Sequence, residues 1–361
     1  MTSSRLPPRA HMPGPLTWAR ENLFSSPFNA VLTVVALLVL YWTVVPFVQW
    51  AFFDAAFSGA DREACLPHSG ACWPFVTQRL EQFIYGFYDL AERWRVDVVL
   101  LVLACGLIWM TVPGLPGKRP VGGLMLTAFP VVAFVMLVGG FGLERVPTER
   151  WGGLIITLVV AITGIVASLP LGIMLALGRR SELPVVKGLS VIFIEFWRGV
   201  PLITILFFSS YMLPLFLPGT WTLDALLRVL IGTALFASAY MAEVVRAGLQ
   251  AIPRGQIEAG QALGLGYWRI MGLIVMPQAL RLVIPGIVNT FIGLFKDTTL
   301  VLIVAIFDFL GQMRAAFADP NWATPNTLFT GFAFAGIVYF LFCFGMSRYS
   351  LFVEHRLKRG R

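Results

Sequence analysis

A polar stretch between two strongly apolar runs decides the fold. It reads Pro253-Arg-Gly-Gln-Ile-Glu258-Ala-Gly260-Gln-Ala-Leu-Gly264-Leu-Gly266-Tyr-Trp-Arg-Ile-Met-Gly-Leu-Ile274-Val-Met-Pro277-Gln-Ala279. Polar groups at this place need partners in water, because lipid cannot satisfy them. We therefore expect the stretch to be a docking element for a second protein.

The composition around this stretch is that of an integral membrane protein. Of 361 residues, 58% are hydrophobic and 13% are charged, and the mean hydropathy is +0.79. Soluble domains carry about a quarter charged residues, so lipid must solvate much of this chain. The net charge of +8 is better explained by membrane topology than by nucleic acid, because no soluble domain is present to bind it. The histidines are too scattered to predict a metal site.

Eight apolar runs approach the roughly 20 residues that a helix needs to cross the hydrocarbon layer. They are Val31–Phe53, Val96–Val112, Gly122–Gly142, Gly152–Leu177, Val191–Leu217, Leu226–Val245, Leu282–Ile306 and Leu328–Met346. No small-residue cleavage site follows the first run, so we interpret it as an uncleaved anchor. The predicted fold class is all-α and polytopic.

The distribution of basic residues predicts the orientation. An even number of spans places both termini on the same side of the membrane. With the termini inside, the inner segments hold most of the Lys and Arg residues that lie outside the spans, among them Arg179, Arg180 and Lys187. Because Lys and Arg accumulate on the cytoplasmic side, we expect cytoplasmic termini and a cytoplasmic 246–281 stretch.

The chain is predicted to have two parts. Residues 1–150 contain three spans and a long outer loop, 54–95. Residues 151–361 contain five spans and the motifs that suggest function. The join is a polar segment with Pro147 and Trp151.

Within the polar stretch, Gln256 to Leu263 is predicted to form a short helix that stops at Gly264. Ala259, Gly260 and Ala262 would make a face of small side chains, and Glu258 offers a charge to an arginine across an interface. A solvated loop helix without a partner is the alternative that these residues leave open.

The spacing of this stretch is similar to a known motif. Glu258-Ala-Gly260, three residues, Gly264, nine residues and Ile274-Val-Met-Pro277 resemble the EAA motif of bacterial ABC importer permeases. That motif is Glu-Ala-Ala, three residues, Gly, nine residues, then Ile-x-Leu-Pro. Gly260 replaces its last alanine and Met276 its leucine, and both changes leave Glu258, Gly264 and Pro277 in register.

Further stretches are similar to the polar amino acid branch of those permeases. They are Phe196-Trp-Arg198-Gly-Val-Pro201-Leu202, Glu243-Val-Val-Arg246-Ala-Gly248, Pro277-Gln-Ala-Leu-Arg281 and Lys296-Asp297-Thr298-Thr299-Leu300. This resemblance covers about residues 150–361. The additional spans, with Gly70-Ala-Cys72-Trp73 in their loop, look more loosely like the longer subunit of general L-amino acid importers.

The resemblance implies a five-helix permease core at 151–361 with a cytoplasmic coupling helix at about 253–266, preceded by three extra helices. It also implies a bacterial inner-membrane complex that imports polar amino acids by alternating access. The expected partners are ATPase subunits at Glu258, Ala259, Gly260, Gly264 and Pro277, a periplasmic amino-acid-binding protein, and a second permease subunit. The extra spans favour a different, shorter chain as that second subunit.

ATP hydrolysis is expected on a partner chain. A phosphate-binding loop reads Gly, four residues, Gly-Lys and Ser or Thr. Here Gly117-Lys118 has Val112 at the place of the first glycine and is followed by Arg119. The chain is therefore not expected to be an enzyme or to bind a cofactor of its own.

Charged residues inside the apolar runs are candidates for the transport pathway, because such residues are costly in lipid. Lys296, Asp297, Thr298 and Thr299 offer a cation, an anion and two hydroxyls in the seventh span, which suits a zwitterionic substrate. A structural ion pair to another span is the alternative.

Two more pairs of residues are singled out. Glu195 and Arg198 lie three apart and share a helix face, so we expect an ion pair between them that supports the fifth span near the cytoplasmic gate. Cys65 and Cys72 lie in the outer loop, which would face the oxidising periplasm. A disulfide and two free thiols are both open.

Two other functions compete with an ABC permease subunit. An ion-gradient-driven secondary transporter would explain Lys296 and Asp297, but not the docking stretch. A membrane-embedded enzyme would need a cluster of His, Asp or Cys at the membrane interface, which the sequence does not offer.

Overall fold

The computed structural model describes residues 14–112, 114–216, 218 and 223–359, with only the backbone for 357–359. Leu217, the predicted end of the fifth span, lies outside the described residues. So do His11 and the terminal basic residues Arg9 and Arg361.

Helices make up almost all of the regular structure in the described ranges. The α-helices are α1 (Pro15–Asn22), α2 (Pro27–Val48), α3 (Trp73–Tyr85), α4 (Arg93–Thr111), α5 (Lys118–Val138), α6 (Gly153–Arg179), α7 (Pro184–Gly199), α8 (Leu202–Phe207), α9 (Leu213–Phe216), α10 (Ala225–Gln250), α11 (Arg254–Ala262), α12 (Tyr267–Ile270), α13 (Met276–Leu282), α14 (Ile284–Asp297), α15 (Phe309–Ala316) and α16 (Pro325–Arg359). Where the chain is described, β-structure is limited to isolated bridges. The all-α prediction is confirmed.

Shorter helical turns extend several of these helices. π-Helical turns occupy Gln49–Phe53, Phe208–Met212 and Met271–Val275. 3₁₀ turns occupy Arg62–Ala64, Leu90–Glu92, Thr148–Arg150 and Thr298–Val304.

Seven helices of the described chain are long and apolar enough to cross a membrane, or eight when one bent pair is counted as a span. This agrees with the predicted eight. The second span, the shortest predicted one, runs from Leu90 to Thr111 and is 22 residues long. Its helix begins with charged residues, among them Arg93 and Arg95, which lie before the predicted run Val96–Val112.

The predicted fifth span, Val191–Leu217, is wrong as a straight helix. The chain bends by 100° between Pro184–Gly199 and Leu202–Phe216. Proline disfavours helical geometry in the residue before it, and Val200 is extended at φ −109° and ψ 132°. The sequence Gly199-Val-Pro201 therefore ends α7 and starts α8 in a new direction.

The chain forms two compact units that are not divided at residue 150. One unit comprises Met1–Phe75 with Thr324–Thr330, and the other comprises Val76–Ala323 with Gly331–Arg361. In the larger unit, buried Tyr88, Val96 and Leu137 belong to the same apolar cluster as Ile156 and Val160 of α6. Because α4 and α5 share this core, packing joins them to the helices that follow.

A buried arginine marks the start of α4. Arg95 is fully buried and forms an ion pair with Glu92. Its Nη1 donates a hydrogen bond of 2.7 Å to the carbonyl oxygen of Glu144, which lies beyond the end of α5. The guanidinium thus joins the two extra helices of the larger unit at one end.

The first turn of α15 is held by a buried carboxylate. Asp308 is fully buried and caps α15 by accepting a hydrogen bond of 2.9 Å from the Gly311 N–H. It also accepts one of 3.1 Å from the Tyr339 hydroxyl of α16. Next to it, the Phe309 N–H donates to the Thr157 hydroxyl of α6 at 3.0 Å.

Helices α6 and α10 approach closely. A Cβ added at Gly172 would lie 2.7 Å from the Met241 Cβ, so only glycine allows this separation. Met241 is fully buried together with Ala176 of α6 and Val245 of α10. Helix α10 is therefore packed tightly along α6.

Candidate functional site

The predicted docking helix is present as α11, Arg254–Ala262. Its end is fixed by two backbone hydrogen bonds, from the Leu265 N–H to the Gly260 oxygen at 3.1 Å and from the Gly264 N–H to the Gln261 oxygen at 2.9 Å. This is the Schellman arrangement, which needs a left-handed residue after the helix. Gly264 supplies it with φ +71°, so the chain leaves α11 in a defined direction.

The small residues of α11 do not form a single docking face. Gly260 is buried inside the chain, and a Cβ there would lie 2.9 Å from the Ile270 Cγ1. Its role is to let α12 pack on α11. Glu258 and Ala259 are exposed, so they are the part of the motif open to a partner.

Large apolar side chains surround the exposed part of α11. Leu263 is 79% exposed and Trp268 is 74% exposed. Tyr267 and Leu273 are also exposed. A patch of exposed bulky apolar groups next to one carboxylate is typical of a surface that another protein covers.

Pro277 lies before the seventh span and not at its start. It lies at the start of α13, directly after the π-helical turn Met271–Val275 that continues α12. Proline has no backbone N–H to donate, and the wider turn before it accommodates this loss. The span begins instead at α14, where Pro285 occupies the first turn.

One apolar cluster joins the docking region to the long helices. Buried Ala176 of α6, Val245 and Leu249 of α10, Ile270 of α12 and Ala279 of α13 belong to it. Ile257 of α11 packs against the cluster from its edge. A Cβ at Gly248 would lie 2.7 Å from the Ala279 oxygen, so α10 and α13 touch backbone to backbone. Apolar packing is therefore continuous from α11 to α10.

A cavity of about 320 Å³ lies beside α10 and α14. It is lined by Phe236, Ala237, Tyr240, Asn289, Thr290, Gly293, Leu294 and Asp297. One carboxylate, an amide and two hydroxyls line a wall that is otherwise apolar. This set could hold the ammonium group of a small zwitterion.

Of the four residues predicted for the pathway, Asp297 is the one that lines this cavity. Lys296 is exposed. The Thr298 hydroxyl donates to the Phe295 oxygen at 2.8 Å, and the Thr299 hydroxyl donates to the Lys296 oxygen at 3.0 Å. Both hydroxyls thus bond to their own helix. The four neighbours point in different directions because successive helical residues turn by about 100°.

The expected ion pair between Glu195 and Arg198 does not form among the described side chains, because each has another partner. Arg179 Nη1 lies 2.8 Å from Glu195 Oε1 and 2.9 Å from Glu243 Oε1. Arg246 Nη2 lies 2.7 Å from Glu243 Oε2, and Arg198 Nη1 lies 3.8 Å from the same oxygen. We call these five residues of α6, α7 and α10 the Glu243 cluster.

The Glu243 cluster touches the cavity wall. The Arg198 guanidinium lies 5.6 Å from the ring centre of Tyr240, and Tyr240 lines the cavity. The spacing of Glu243 and Arg246 within one helix could have signalled their pair, since residues three apart share a face. The participation of Arg179 in the cluster could not be predicted in this way, because it depends on the packing of α6 against α10.

Cys65 and Cys72 are joined by a disulfide with Cα atoms 5.5 Å apart. It lies in the smaller unit, where the Cys72 N–H donates to the Thr330 hydroxyl at 2.8 Å and the Asn326 amide donates to the His68 oxygen at 3.2 Å. No group of three or more potential metal ligands occurs among the described residues.

Comparison with known proteins identifies the protein family to which the chain belongs. The family model for the binding-protein-dependent transport system inner membrane component matches residues 168–359. This range contains the docking helix, the cavity and the Glu243 cluster. The chain belongs to this family.

Two relatives match along nearly the whole chain. The inner membrane amino-acid ABC transporter permease protein YhdY of Escherichia coli K12 is 48% identical over 347 residues, which cover 96% of this chain and 94% of the relative. The glutamate/glutamine/aspartate/asparagine transport system permease protein BztC of Rhodobacter capsulatus is 40% identical over 414 residues, with the same coverage of each chain.

A solved structure supports the fold. The crystal structure of an amino acid ABC transporter with histidines superposes with a TM-score of 0.50 at 27% identity, over 56% of this chain and 92% of the other. Together with the family match, this confirms the predicted ABC importer permease fold. It also confirms the prediction of a permease subunit over that of an ion-gradient-driven secondary transporter.

Proposed function

We propose that this chain is the longer permease subunit of an importer for polar L-amino acids, and that a separate ATPase drives it by docking on α11. The two relatives named for amino-acid transport support the substrate class. The continuous apolar cluster from Ile257 of α11 to Ala176 of α6 carries the mechanical part of the proposal. Binding at Glu258 would thereby move the long helices and open the membrane pathway alternately to each side.

The orientation and the remaining partners are part of the same proposal. Both termini and α11 face the cytoplasm of a bacterial cell, since Lys and Arg accumulate on that side. A periplasmic amino-acid-binding protein delivers the substrate from outside. A second, shorter permease chain completes the pathway, and the three extra helices of residues 1–150 distinguish this subunit from it.

Charge reversal at α11 tests the docking. Glu258→Arg should abolish copurification of the ATPase with this chain, because it places a cation where an arginine of the partner is expected. Glu182→Arg is the matched control, since Glu182 is also exposed but lies between α6 and α7. Retention of the ATPase by Glu258→Arg, or its loss from both variants, would refute docking at this residue.

The energy source is tested with vesicles that contain the complete complex and ATP inside. Labelled L-glutamate and L-glutamine are suitable probes, because one relative is named for their transport. Uptake should continue after an ionophore collapses the ion gradients and should stop when ATP is omitted. The opposite result would restore the secondary transporter.

Within the pathway, we propose that Asp297 holds the substrate's ammonium group in the cavity. Asp297→Asn should lower uptake by a factor of ten or more, because a hydrogen bond to a charged group contributes about 1.5–3 kcal/mol. Thr299→Val is the control, since its hydroxyl bonds to its own helix. Equal uptake by wild type and Asp297→Asn would remove Asp297 from the pathway.

A further inference from the structure

Glu243 occupies the centre of a charge cluster that joins three helices. Its carboxylate has Arg179 of α6, Arg198 of α7 and Arg246 of α10 within 4 Å. The Glu243 side chain is 16% exposed, and those of the three arginines are 26% to 35% exposed. The negative charge of Glu243 offsets the repulsion among the three guanidinium groups. Without that charge, the three arginines would repel one another.

Helix α7 is attached to its neighbours differently from α10. Among its residues, only Ser190 and Ile194 are buried. Ser190 lies against Gly178 of α6, which provides one point of close approach. Near the other end of α7, Glu195 and Arg198 are connected to α6 and α10 through the Glu243 cluster. The 100° bend after Gly199 separates α7 from α8, so the two helices do not form one continuous rod.

The opposite face of α10 is joined to the docking region by apolar packing. The cluster of Val245, Leu249, Ile270 and Ala279 packs α10, α12 and α13 against one another. Glu243 lies on this same helix, two residues before Val245. The carboxylate is thus the polar connection between a body that contains α11 and the lightly attached α7.

We propose that Glu243 is a positioning residue that transmits the movement of α11 and α10 to α7, and that it keeps Arg198 of α7 beside Tyr240 of α10 in the cavity wall. Without its charge, α10 still follows α11 through the apolar cluster, whereas α7 loses its connection. ATP hydrolysis then continues, but the pathway no longer opens in step with it. The inference rests on the proposed function, because it requires that α11 is driven by an ATPase.

The test measures two rates in one sample. The complete complex, with ATPase, partner permease and binding protein, is reconstituted into liposomes, and L-glutamine uptake and phosphate release are recorded together. Glu243→Gln should keep most of its ATP hydrolysis while uptake per ATP falls on the order of tenfold, within the 5–150-fold range of typical coupling between sites. Arg198→Gln should lower the same ratio by a smaller factor, since its side chain is 35% exposed.

Asp89→Asn is the matched control. It breaks an ion pair of 2.7 Å with Arg150 that lies outside α6, α7 and α10, and it should leave uptake per ATP unchanged. The proposal is overturned if Glu243→Gln keeps the wild-type ratio, whether both rates stay or both fall together. If Glu243→Gln does not assemble, Arg198→Gln decides by the same criterion. A wild-type complex without ATP-dependent uptake would instead refute the proposed function.

Discussion

The two ends of the α6 helix are held by different chemistry. At its start, the Gly153 N–H donates to the Phe307 oxygen at 2.9 Å, and the Thr157 hydroxyl accepts from the Phe309 N–H at 3.0 Å. Thr157 and Asp308 are fully buried there. At its other end, Arg179 shares its guanidinium between two carboxylates and is 26% exposed.

This difference separates a fixed end from an end that can rearrange. Buried backbone hydrogen bonds leave costly unsatisfied groups when they open. The pair of Arg179 with Glu195, whose side chain is 54% exposed, can exchange with water at little cost, since exposed ion pairs contribute about 0–1 kcal/mol. The end with Asp308 therefore sets the geometry of the helices, whereas at the other end the exposed contact of Arg179 with Glu195 can rearrange.

The largest effect is expected at the fixed end. Gly153 has φ +63° and lies so close to the Phe83 oxygen that a Cβ would overlap with backbone. Gly153→Ala should destabilise the protein by about 3 kcal/mol, from the left-handed conformation and the overlap together. The measurement is the Tm of the purified chain in detergent.

Gly264→Ala, directly after α11, provides the matched control. Gly264 has a similar φ of +71° but no atom within 4 Å of an added Cβ, so only the conformational cost of about 1–2 kcal/mol remains. If Gly153→Ala and Gly264→Ala lower the Tm equally, the overlap with the Phe83 oxygen adds no cost, and close backbone packing does not hold Gly153 in place.

A smaller, pH-dependent effect is expected at Asp308. Burial raises the pKa of its carboxyl above the ordinary 3.8, against hydrogen bonds from Gly311 and Tyr339 that lower it. A raised folded pKa means that the folded state holds the proton more tightly, so this stabilisation is complete below pH 3.8 and is lost as pH rises through the folded pKa. Asp308→Asn cannot titrate. The Tm of wild type should therefore fall relative to that of Asp308→Asn as pH rises from 3.8, and parallel Tm curves would contradict the assignment.

The smallest effect is expected at the edge of the Glu243 cluster. Glu195 is 54% exposed in its ion pair with Arg179. Glu195→Gln should change the free energy of unfolding by at most about 0.5 kcal/mol, because water replaces such a pair easily. Thermal unfolding compared with Glu182→Gln gives the difference, and a loss as large as that of Gly153→Ala would show that this end is fixed as well.

Sequence predicted the features that depend on neighbouring residues. The eight apolar runs and the stop of α11 at Gly264 follow from local hydropathy and turn chemistry. Pro201 restricts the residue before it, so the sequence contains a signal for the bend at Val200. The apolar pattern continues across that position, and it therefore predicts a single span. Helix α3 was missed inside a loop, although Val76 and Phe83 lie seven apart and are both buried, which fits one helical face.

Sequence could not predict the contacts between distant elements. Arg179 and Glu243 are 64 positions apart, and their pairing follows from the close approach of α6 and α10 at Gly172. The spacing of Glu195 and Arg198 was a correct sign of a shared face, but partners on other helices competed successfully for both charges. Asp297 and Lys296 are neighbours in sequence, but of the two only Asp297 lines the cavity. The packing of α14 against α10 decides this, and the sequence does not show it.

The buried Arg95 has a consequence for biogenesis. Its guanidinium pairs with Glu92 and donates to the Glu144 carbonyl, and the latter is synthesised only after α5 is complete. An arginine facing lipid is strongly disfavoured during insertion. Helix α4 is therefore expected to remain near the translocon until α5 emerges, so that the two helices enter the bilayer as a hairpin. A nascent chain arrested before residue 144 should release α4 into lipid poorly, and Arg95→Leu should relieve that delay.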